Sequence, residues 1–322
     1  MTMALPLTKP LVGSLRDLEF RLGVKRVEIY ELINSRPSLY QPFEKTKKLH
    51  PYPGALRRQA ATRPAKKRKI DNPVSQLKDI QRRILKSILS EVELPSFMFG
   101  AVSGKTLLGH ADVHVANQAS ALVHMDISSY YPNVTCFHVY FVWSVVLGCP
   151  PPVAKILTEL TTFEWHLPQG APTSPAIANI LLASIYAPVC LASERAGLTI
   201  TTWVDDLIFS GPSAWKIMET VRATLAANGF KVAPQKREIL GPKAEKLITG
   251  VRLGRFHPRA PHKKMHDLRA AIHRLATGRV DPDDIDKYRK NLSARIAHIA
   301  SINAGDVTLL KRQAARSGVS LK

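Results

Sequence analysis

The chain has 322 residues, 45% of them hydrophobic, and its 46 Lys and Arg against 25 Asp and Glu give a net charge of +21. This excess favours a polyanionic partner such as nucleic acid, because Lys and Arg contacts to phosphate release condensed counterions. The three cysteines form no C-x-x-C pair, which argues against a disulfide framework or a zinc knuckle. The sequence shows neither a signal-peptide pattern nor an apolar run of membrane-spanning length. We therefore expect a cytoplasmic protein without a membrane partner.

The N-terminal part alternates helical and basic segments. Residues 14–35 carry Leu and Ile at three- and four-residue spacings, which predicts a helical region with Ser14 as its N-cap. Residues 45–69 hold ten Lys or Arg and no acid, so we expect a basic loop that contacts phosphate. The end of that loop, residues 64–69, also fits a nuclear-import signal. Residues 77–89 predict an amphipathic helix with its basic side outward.

The central and C-terminal segments are more apolar until the final tail. Residues 121–127 predict a buried strand, residues 168–183 a loop that enters an apolar helix, and residues 215–228 a helix that ends at Gly229. Residues 247–253 predict a short strand. From residue 252 onward 16 Lys or Arg stand against six Asp in a mostly helical pattern, so the tail is strongly basic.

Three carboxylates are the candidate catalytic residues. Residues 202–210 place Asp205 and Asp206 between two apolar runs, which predicts a β-hairpin with both acids at its tight turn; taken alone, such a turn is usually a solvated loop. Asp126 falls at the C-terminal end of the strand predicted at residues 121–127. Together the acids could hold two Mg²⁺ ions, with Mn²⁺ as the alternative, in the arrangement of in-line phosphoryl transfer.

Three motifs in chain order resemble motifs A, B and C of reverse transcriptases. They are Asp126-Ile127-x-x-Tyr130-Tyr131, then Leu167-Pro168-Gln169-Gly170-Ala171-Pro172-Thr173-Ser174-Pro175, then Asp205-Asp206. Other segments resemble the fingers motif, motif D and the primer-gripping strand of the same family: Arg68-x-Ile70-x-x-Pro73, Gly229-Phe230…Lys236 and residues 247–250. The resemblance covers roughly residues 14–303.

The resemblance implies an α+β right-hand polymerase that adds dNTPs to a hydroxyl on an RNA template. It implies N-terminal helices and fingers in residues 1–115, including the basic loop at about 45–69. It implies a palm with an antiparallel sheet and the catalytic motifs in residues 116–253. Residues 254–322 would form a basic helical thumb.

The resemblance also assigns roles to individual residues. Asp126, Asp205 and Asp206 would be catalytic and would hold the metal ions with the Ile127 carbonyl. The implied nucleotide-binding residues are Arg68 at the triphosphate, Tyr131 as a steric gate, Gln169 and Gly170 along the backbone, and Lys236 at the leaving phosphate. For Tyr131 a core aromatic, and for Lys236 a surface lysine, are the alternatives. The implied primer, template or RNA contacts are Lys78, His114, Trp203, Thr249 and Gly250.

Within the family, bacterial retron reverse transcriptases fit best. Their two hallmark elements, Asn-Ala-x-x-His and Val-Thr-Gly, resemble residues 110–114 and Ile248-Thr249-Gly250. This resemblance implies a cognate structured non-coding RNA, priming from a 2′-OH of that RNA, and a branched product with single-stranded msDNA. It further implies a retron effector protein as partner in anti-phage defence.

Several residues depart from the family pattern and leave alternatives open. His110 replaces the usual Asn, and Trp203 stands where Tyr or Phe is usual. The long basic stretch leaves the second phosphate-binding cation open among Arg57, Arg58, Arg63 and Lys66. His110 and His114 have no third zinc ligand nearby in sequence, which favours core or RNA-contact histidines. Group II intron-like and abortive-infection enzymes are the enzymatic alternatives, and a non-catalytic RNA-binding scaffold is the other.

Overall fold

The computed structural model describes residues 9–46, 67–118 and 120–316, which gather into two compact units. The first unit contains the described residues before Ser103, together with Ile127–Val189 and Thr220–Ala233. The second contains Ser103–Asp126, Cys190–Glu219 and the described residues from Pro234 onward. Both combine helices with antiparallel strands, so the predicted α+β composition is confirmed. The predicted boundaries near residues 115 and 253 remain a prediction.

The regular elements follow one another in this order along the described chain. The α-helices are α1 (Leu15–Leu22), α2 (Arg26–Asn34), α3 (Ser75–Ser87), α4 (Leu107–Asp112), α5 (Tyr130–Asn133), α6 (Cys136–Phe141), α7 (Pro151–Thr161), α8 (Ser174–Ile185), α9 (Ala187–Arg195), α10 (Ile217–Ala227), α11 (His262–Ala276), α12 (Ile285–Ile302) and α13 (Ala304–Arg316). The strands are β1 (Tyr40–Thr46), β2 (Lys67–Pro73), β3 (Ala121–Asp126), β4 (Thr199–Trp203), β5 (Asp206–Gly211), β6 (Glu238–Leu240), β7 (Leu247–Ile248), β8 (Val251–Leu253) and β9 (Pro258–Arg259).

The predicted N-terminal helical region consists of two helices, α1 and α2. Ser14 caps α1 as predicted, because its hydroxyl accepts a hydrogen bond from the Asp17 N–H at 3.1 Å. Gly23 then adopts a left-handed conformation with φ of 62°, and its N–H bonds to the Glu19 carbonyl at 2.9 Å. A continuing helix cannot take that conformation, so α1 ends there and α2 starts three residues later.

The first unit pairs a two-stranded ribbon with helices. Strands β1 and β2 run antiparallel from Tyr40↔Pro73 to Thr46↔Lys67. Helix α3 is amphipathic as predicted and buries an apolar stripe. Its buried Gln81 donates to the Leu160 carbonyl at 2.9 Å and to the Tyr40 hydroxyl at 3.1 Å. Most of the predicted basic loop lies outside the described residues, including four candidate phosphate ligands: Arg57, Arg58, Arg63 and Lys66.

Helix α8 is the buried helix predicted to follow the Pro168 loop. Its side chain Asn179 donates to the Gly100 carbonyl at 2.8 Å, and its Ala178 carbonyl accepts from the Tyr130 hydroxyl at 2.8 Å. Among the described residues no single helix is long and apolar enough to cross a bilayer, although α8 and α9 together, as a bent pair, reach that length and composition.

The second unit is built on a four-stranded antiparallel sheet in the order β4-β5-β3-β6. Strand β3 is central and its apolar residues are buried, as predicted for residues 121–127. It pairs with β5 from Ala121↔Gly211 to Asp126↔Asp206. This register fixes which residues meet at the end of the sheet.

A smaller sheet corrects the single strand predicted at residues 247–253. Strands β7, β8 and β9 form a three-stranded antiparallel sheet, with Leu247 opposite Arg252 and Ile248 opposite Val251. Thr249 and Gly250, with φ of 46° and 81°, form the two-residue turn between β7 and β8. Two consecutive positive φ values are what a tight hairpin of this kind requires, so the segment folds back on itself.

The basic tail is helical, as predicted. Helices α11, α12 and α13 share one apolar cluster that includes Leu268, Leu292 and Leu310. The buried Asp306 at the start of α13 accepts from the Ala260 N–H at 3.0 Å and from Arg259 Nε at 2.8 Å. The tail therefore has its own core and an internal ion pair beneath its basic exterior.

Candidate active site

Three carboxylates meet at one edge of the four-stranded sheet. Asp126 is the last residue of β3, and Asp206, the first residue of β5, stands directly opposite it in the register. Asp206 also pairs with Trp203 across the hairpin, so the turn consists of Val204 and Asp205 alone. The sequence placed both acids at the turn; the structure corrects this, because Asp206 belongs to the strand ladder. Cross-strand neighbours have Cβ atoms about 4.5–5.5 Å apart, which brings Asp126 and Asp206 together.

The turn that carries Asp205 is strained. Val204 has φ of 58°, a left-handed conformation that a β-branched residue rarely adopts. Its side chain is buried. Such strain persists only where surrounding structure over-determines it, and it concentrates at functional sites. The backbone before the acid pair is thus held in one conformation by its packing.

Burial and mutual repulsion act on Asp126. Burial raises the pKa of the Asp126 carboxyl to about 7, and the nearby Asp205 and Asp206 charges act in the same direction. The Lys236 ammonium opposes them, since it donates directly to the Asp126 carboxylate and lowers the same pKa. The sequence left two roles open for Lys236, a residue at the leaving phosphate or a surface lysine. In the structure Lys236 contacts the carboxylate cluster.

Asp206 has a different environment. The His124 ring lies with Nε2 3.4 Å from Asp206 Oδ1. Burial works to raise the pKa of Asp206, but the His124 contact and neighbouring charges outweigh it and lower that pKa. The same contact raises the pKa of His124 against the effect of burial. Sequence reasoning missed His124; its position two residues before Asp126 on the same face of β3 was the available signal.

The donor set fits a divalent cation. Within the described ranges no group of three or more His, Cys, Asp or Glu side chains is already arranged to hold a metal ion, and Asp126 is paired with Lys236. Three crowded carboxylates, one of them with a strongly raised pKa, are a charge cluster that a cation would stabilise. Oxygen-only ligands suit Mg²⁺ or Mn²⁺ rather than zinc.

Two buried histidines form hydrogen bonds with both strands of the β4–β5 hairpin. His110 Nε2 and His114 Nε2 lie 2.8 Å and 2.7 Å from the Thr201 hydroxyl, and His114 Nδ1 lies 2.6 Å from the Ser210 hydroxyl. Burial lowers the pKa of His110 to about 4 and that of His114 to about 3, so both rings are neutral. One hydroxyl proton cannot serve two rings, so Thr201 donates to one ring and accepts from the other.

This network answers the question that the sequence left open for the two histidines. Both are fully buried, so they are core residues, and His114, expected to contact RNA, has no exposed surface in this conformation. The His110 ring stacks on Trp203 with centroids 5.5 Å apart, and its Nδ1 lies 3.5 Å from the Thr249 hydroxyl. Trp203 and Thr249, two further predicted primer contacts, therefore both lie next to His110. Gly250 comes directly after Thr249 and is exposed in the turn.

The predicted nucleotide-binding residues Arg68, Tyr131, Gln169 and Gly170 belong to the first unit. Arg68 is an exposed residue of β2, and Tyr131 is half-buried at the start of α5. Lys78 on α3 donates to the Asn72 side chain at 3.1 Å. Ile127 is fully buried and forms an antiparallel bridge with Val232. The structure leaves the roles of these residues as predictions.

The loop that carries Gln169 and Gly170 is held by residues that sequence reasoning missed. Asp71 on β2 is almost fully buried and bonds to His166 and to the backbone of Gln169. No local pattern reveals a contact between residues so far apart in the chain.

More than half of the chain matches a known protein family. Residues 56–253 match the family described as reverse transcriptase (RNA-dependent DNA polymerase). Among solved structures, an apo telomerase from Candida tropicalis aligns with a TM-score of 0.39 and 12% identity over 58% of this chain and 44% of that chain. A likeness at this level carries no functional weight.

Curated relatives are retron enzymes. The retron Ec86 reverse transcriptase of Escherichia coli is 26% identical over 66% of this chain and 66% of that protein. The retron Mx65 reverse transcriptase of Myxococcus xanthus is 28% identical over 75% of this chain and 60% of that protein. The retron Ec73 reverse transcriptase of Escherichia coli is 24% identical over 89% and 95%. The chain thus spans at most about two thirds of the first two relatives.

Proposed function

Because this chain belongs to the reverse transcriptase family and its curated relatives are retron enzymes, we propose that it is an RNA-directed DNA polymerase of a retron. The observation that carries the proposal is the meeting of Asp126, Asp205 and Asp206 at one sheet edge, set by the β3–β5 register. A vestigial scaffold has no need of three mutually repelling acids, one of them with a pKa raised to about 7.

Asp126, Asp205 and Asp206 would hold two divalent cations, and the Ile127 carbonyl is the further predicted ligand. Bound there, such ions would activate the attacking hydroxyl and neutralise the leaving pyrophosphate. The chain's own residues prepare the site. His124 keeps Asp206 ionised, and Lys236 neutralises Asp126 through a direct hydrogen bond.

Each proposed nucleotide-binding residue would contact a different part of the incoming nucleotide. Arg68 would contact the triphosphate, and Tyr131 would exclude a ribose 2′-OH by its bulk. Gln169 and Gly170 would line the nucleotide, with Gly170 exposed and free of a side chain. Trp203, Thr249 and Gly250 would contact the primer end, supported by the stacking of Trp203 on His110.

The retron assignment names the partners. The enzyme would bind a cognate structured non-coding RNA, prime from a 2′-OH of that RNA and make msDNA, alongside an effector protein in anti-phage defence. The similarity to named retron enzymes and the basic tail support this assignment. Fingers, palm and thumb would correspond to residues 1–115, 116–253 and 254–322, and a cytoplasmic location stays part of the proposal.

Primer extension tests the polymerase proposal. Purified full-length protein, an RNA template with a DNA primer, dNTPs and Mg²⁺ should give DNA product, and Asp205→Asn and Asp206→Asn should each reduce it by about a hundredfold or more. Asp112→Asn, an exposed acid on α4, is the matched control and should leave the rate unchanged. Equal product from wild type and the Asp205 and Asp206 variants would reject these acids as the catalytic residues, and no product with any template would favour an RNA-binding scaffold.

The retron assignment needs a separate readout. Nucleic acid that co-purifies with the protein should contain one structured RNA joined to DNA through a 2′–5′ linkage, and a debranching enzyme should separate the two. An unbranched product on an active polymerase would instead indicate another bacterial reverse transcriptase class.

A further inference from the structure

Strand β2 contains a buried carboxylate that the polymerase motifs do not explain. Asp71 is 2% exposed, although the residues before it, Lys67 to Lys69, are exposed. Its Oδ1 has no hydrogen-bond partner among the described residues and lies 3.9 Å from Lys69 Nζ. Burying a charge is costly unless the charge is paired and hydrogen-bonded. The position of Asp71 therefore depends on what its other oxygen contacts.

That oxygen binds the loop that carries Gln169. Asp71 Oδ2 accepts from the Gln169 N–H at 3.3 Å and lies 3.1 Å from His166 Nε2. The Asp71 N–H donates in turn to the Gln169 carbonyl at 2.9 Å. Both backbone groups of Gln169 are thus fixed by one residue of β2.

His166 must carry both of its protons to make its two contacts. Its Nδ1 lies 3.0 Å from the Glu164 carbonyl, and its Nε2 faces the Asp71 carboxylate. Both partners are acceptors, so both ring nitrogens donate, which only the imidazolium form can do. Consistently, the hydrogen bond to Asp71 raises the pKa of His166. The contact is therefore a charge-assisted pair rather than a neutral hydrogen bond.

The Gly170 backbone lies close against strand β2, where a side chain would not fit. A Cβ at this position would lie 2.9 Å from Ile70 Cγ2 and 3.3 Å from the Asp71 carbonyl oxygen, and φ is 135°. On the far side of the loop the Ser174 hydroxyl donates to the Pro168 carbonyl at 2.6 Å. The loop is therefore fixed on β2 by hydrogen bonds and by close backbone approach.

We propose that Asp71 and His166 are positioning residues that hold Gln169 and Gly170 in the conformation that receives the incoming dNTP. Neither residue needs to touch the nucleotide; each acts through the Gln169 backbone. This inference rests on the proposed polymerase function, and it adds two residues that lie outside the recognised motif positions.

Steady-state single-nucleotide incorporation by the full-length protein tests this positioning role. Asp71→Asn and His166→Gln should each raise the KM for dNTP about tenfold while kcat and primer-template affinity change less than twofold, because a misplaced loop weakens nucleotide binding. The double variant should be no worse than the poorer single variant, since two residues acting through one contact are not additive. Glu164→Gln is the control: it removes the exposed Lys69–Glu164 pair at 3.0 Å between the same two segments and should leave KM unchanged.

Hydrogen exchange supplies a readout that does not need an active polymerase. Asp71→Asn should accelerate exchange in the peptide that contains Gln169 and leave peptides from α8 at wild-type rates. Additive KM effects, a fall in kcat at constant KM, an equal effect of Glu164→Gln, or unchanged exchange at Gln169 would each overturn the positioning role. An inactive wild type with faster exchange in Asp71→Asn would instead reject the polymerase function and retain the Asp71–His166 contact.

Discussion

At the residue scale, the Asp71–His166 pair makes stability depend on pH in a definite direction. The pKa of His166 is raised above its usual 6.5 by the hydrogen bond to Asp71. Its contribution is therefore complete below about pH 6.5 and is lost as the pH rises through the folded-state pKa. Burial opposes ionisation of Asp71, but His166 and the Gln169 N–H lower its pKa below 3.8. That contribution is present above about pH 3.8 and is lost on acidification.

Urea unfolding of wild type and His166→Gln should show this window. The difference in free energy of unfolding should be largest between about pH 4 and 6.5, at about 2 kcal/mol for a charge-assisted hydrogen bond, and should shrink toward pH 9. Glu164→Gln should show a smaller difference, since the Lys69–Glu164 pair is exposed. A difference that grows with pH would contradict the imidazolium assignment.

Val204 gives a second prediction for a single residue. Val204→Gly would relieve a positive φ at a β-branched residue, worth about 1–3 kcal/mol. It would also remove a buried side chain and add chain entropy, at a cost of about 2–3 kcal/mol in total. The two effects nearly cancel, so the free energy of unfolding should change by less than about 1 kcal/mol. Polymerase activity should still fall, because Asp205 loses its rigid neighbour; full activity would show that the strain has no function.

At the scale of elements, two adjacent threonines of β4 allow a matched test of the histidine network. Thr201 and Thr202 are equally buried. The Thr201 hydroxyl serves two imidazoles, whereas the Thr202 hydroxyl has no partner among the described residues. Thr201→Val should destabilise by about 3 kcal/mol, because it leaves ring nitrogens of His110 and His114 unsatisfied. Thr202→Val should be neutral or stabilising. Valine has nearly the shape of threonine, and the substitution removes a buried hydroxyl that has no hydrogen-bond partner among the described residues.

Chemical denaturation of the two variants side by side is the measurement. Equal destabilisation would mean that the hydroxyls are interchangeable and that the link between α4 and the hairpin is not a hydrogen-bond network. If Thr201→Val alone also lowers primer extension, the network positions Trp203 as well as stabilising the sheet.

The sequence predicted elements where the signal is local. The alternation in β3 placed Asp126 at a strand end, and the Ser14 cap and the helix ended by Gly229 follow from short-range chemistry. The hairpin at Thr249 was missed because a two-residue turn inside an apolar run leaves no break in the pattern. Asp71 and His166, 95 residues apart, could not be paired, since no local period encodes a long-range contact.

At the scale of the whole molecule, the net charge of +21 predicts steep salt dependence of RNA binding. The logarithm of affinity should fall with the logarithm of salt concentration by about 0.7 per phosphate contact for single-stranded RNA. Replacing Arg269, Arg274, Arg289 and Lys290 by Gln removes four exposed charges from α11 and α12 and should reduce this slope by about 2 or more.

The control removes the same charge from the first unit, with Arg16, Lys25, Lys86 and Lys155 changed to Gln. A smaller change in slope is expected if, as we propose, the basic helical tail rather than the first unit makes most of the RNA phosphate contacts. Equal slopes for the two variants would mean that the basic charge acts as a diffuse field rather than as a tail-specific contact.

Family membership could be anticipated from the motifs because each carries chemistry in a short string of residues. The division into two units could not, because each unit draws on separated stretches of the chain. The Lys236 contact of Asp126 and the His124 contact of Asp206 were not anticipated either, since they depend on the sheet register and, for Lys236, on a segment 110 residues away.

The Asp71–His166 pair also constrains how this lineage can change. Loss of either partner alone would remove the charge-assisted hydrogen bond, at a cost of about 2 kcal/mol, which is a large fraction of the whole stability of many domains. An ancestor could therefore exchange the pair for neutral residues only through two substitutions that arise close together. Across relatives, positions 71 and 166 should be inherited as a unit, and descendants that lack one should lack the other.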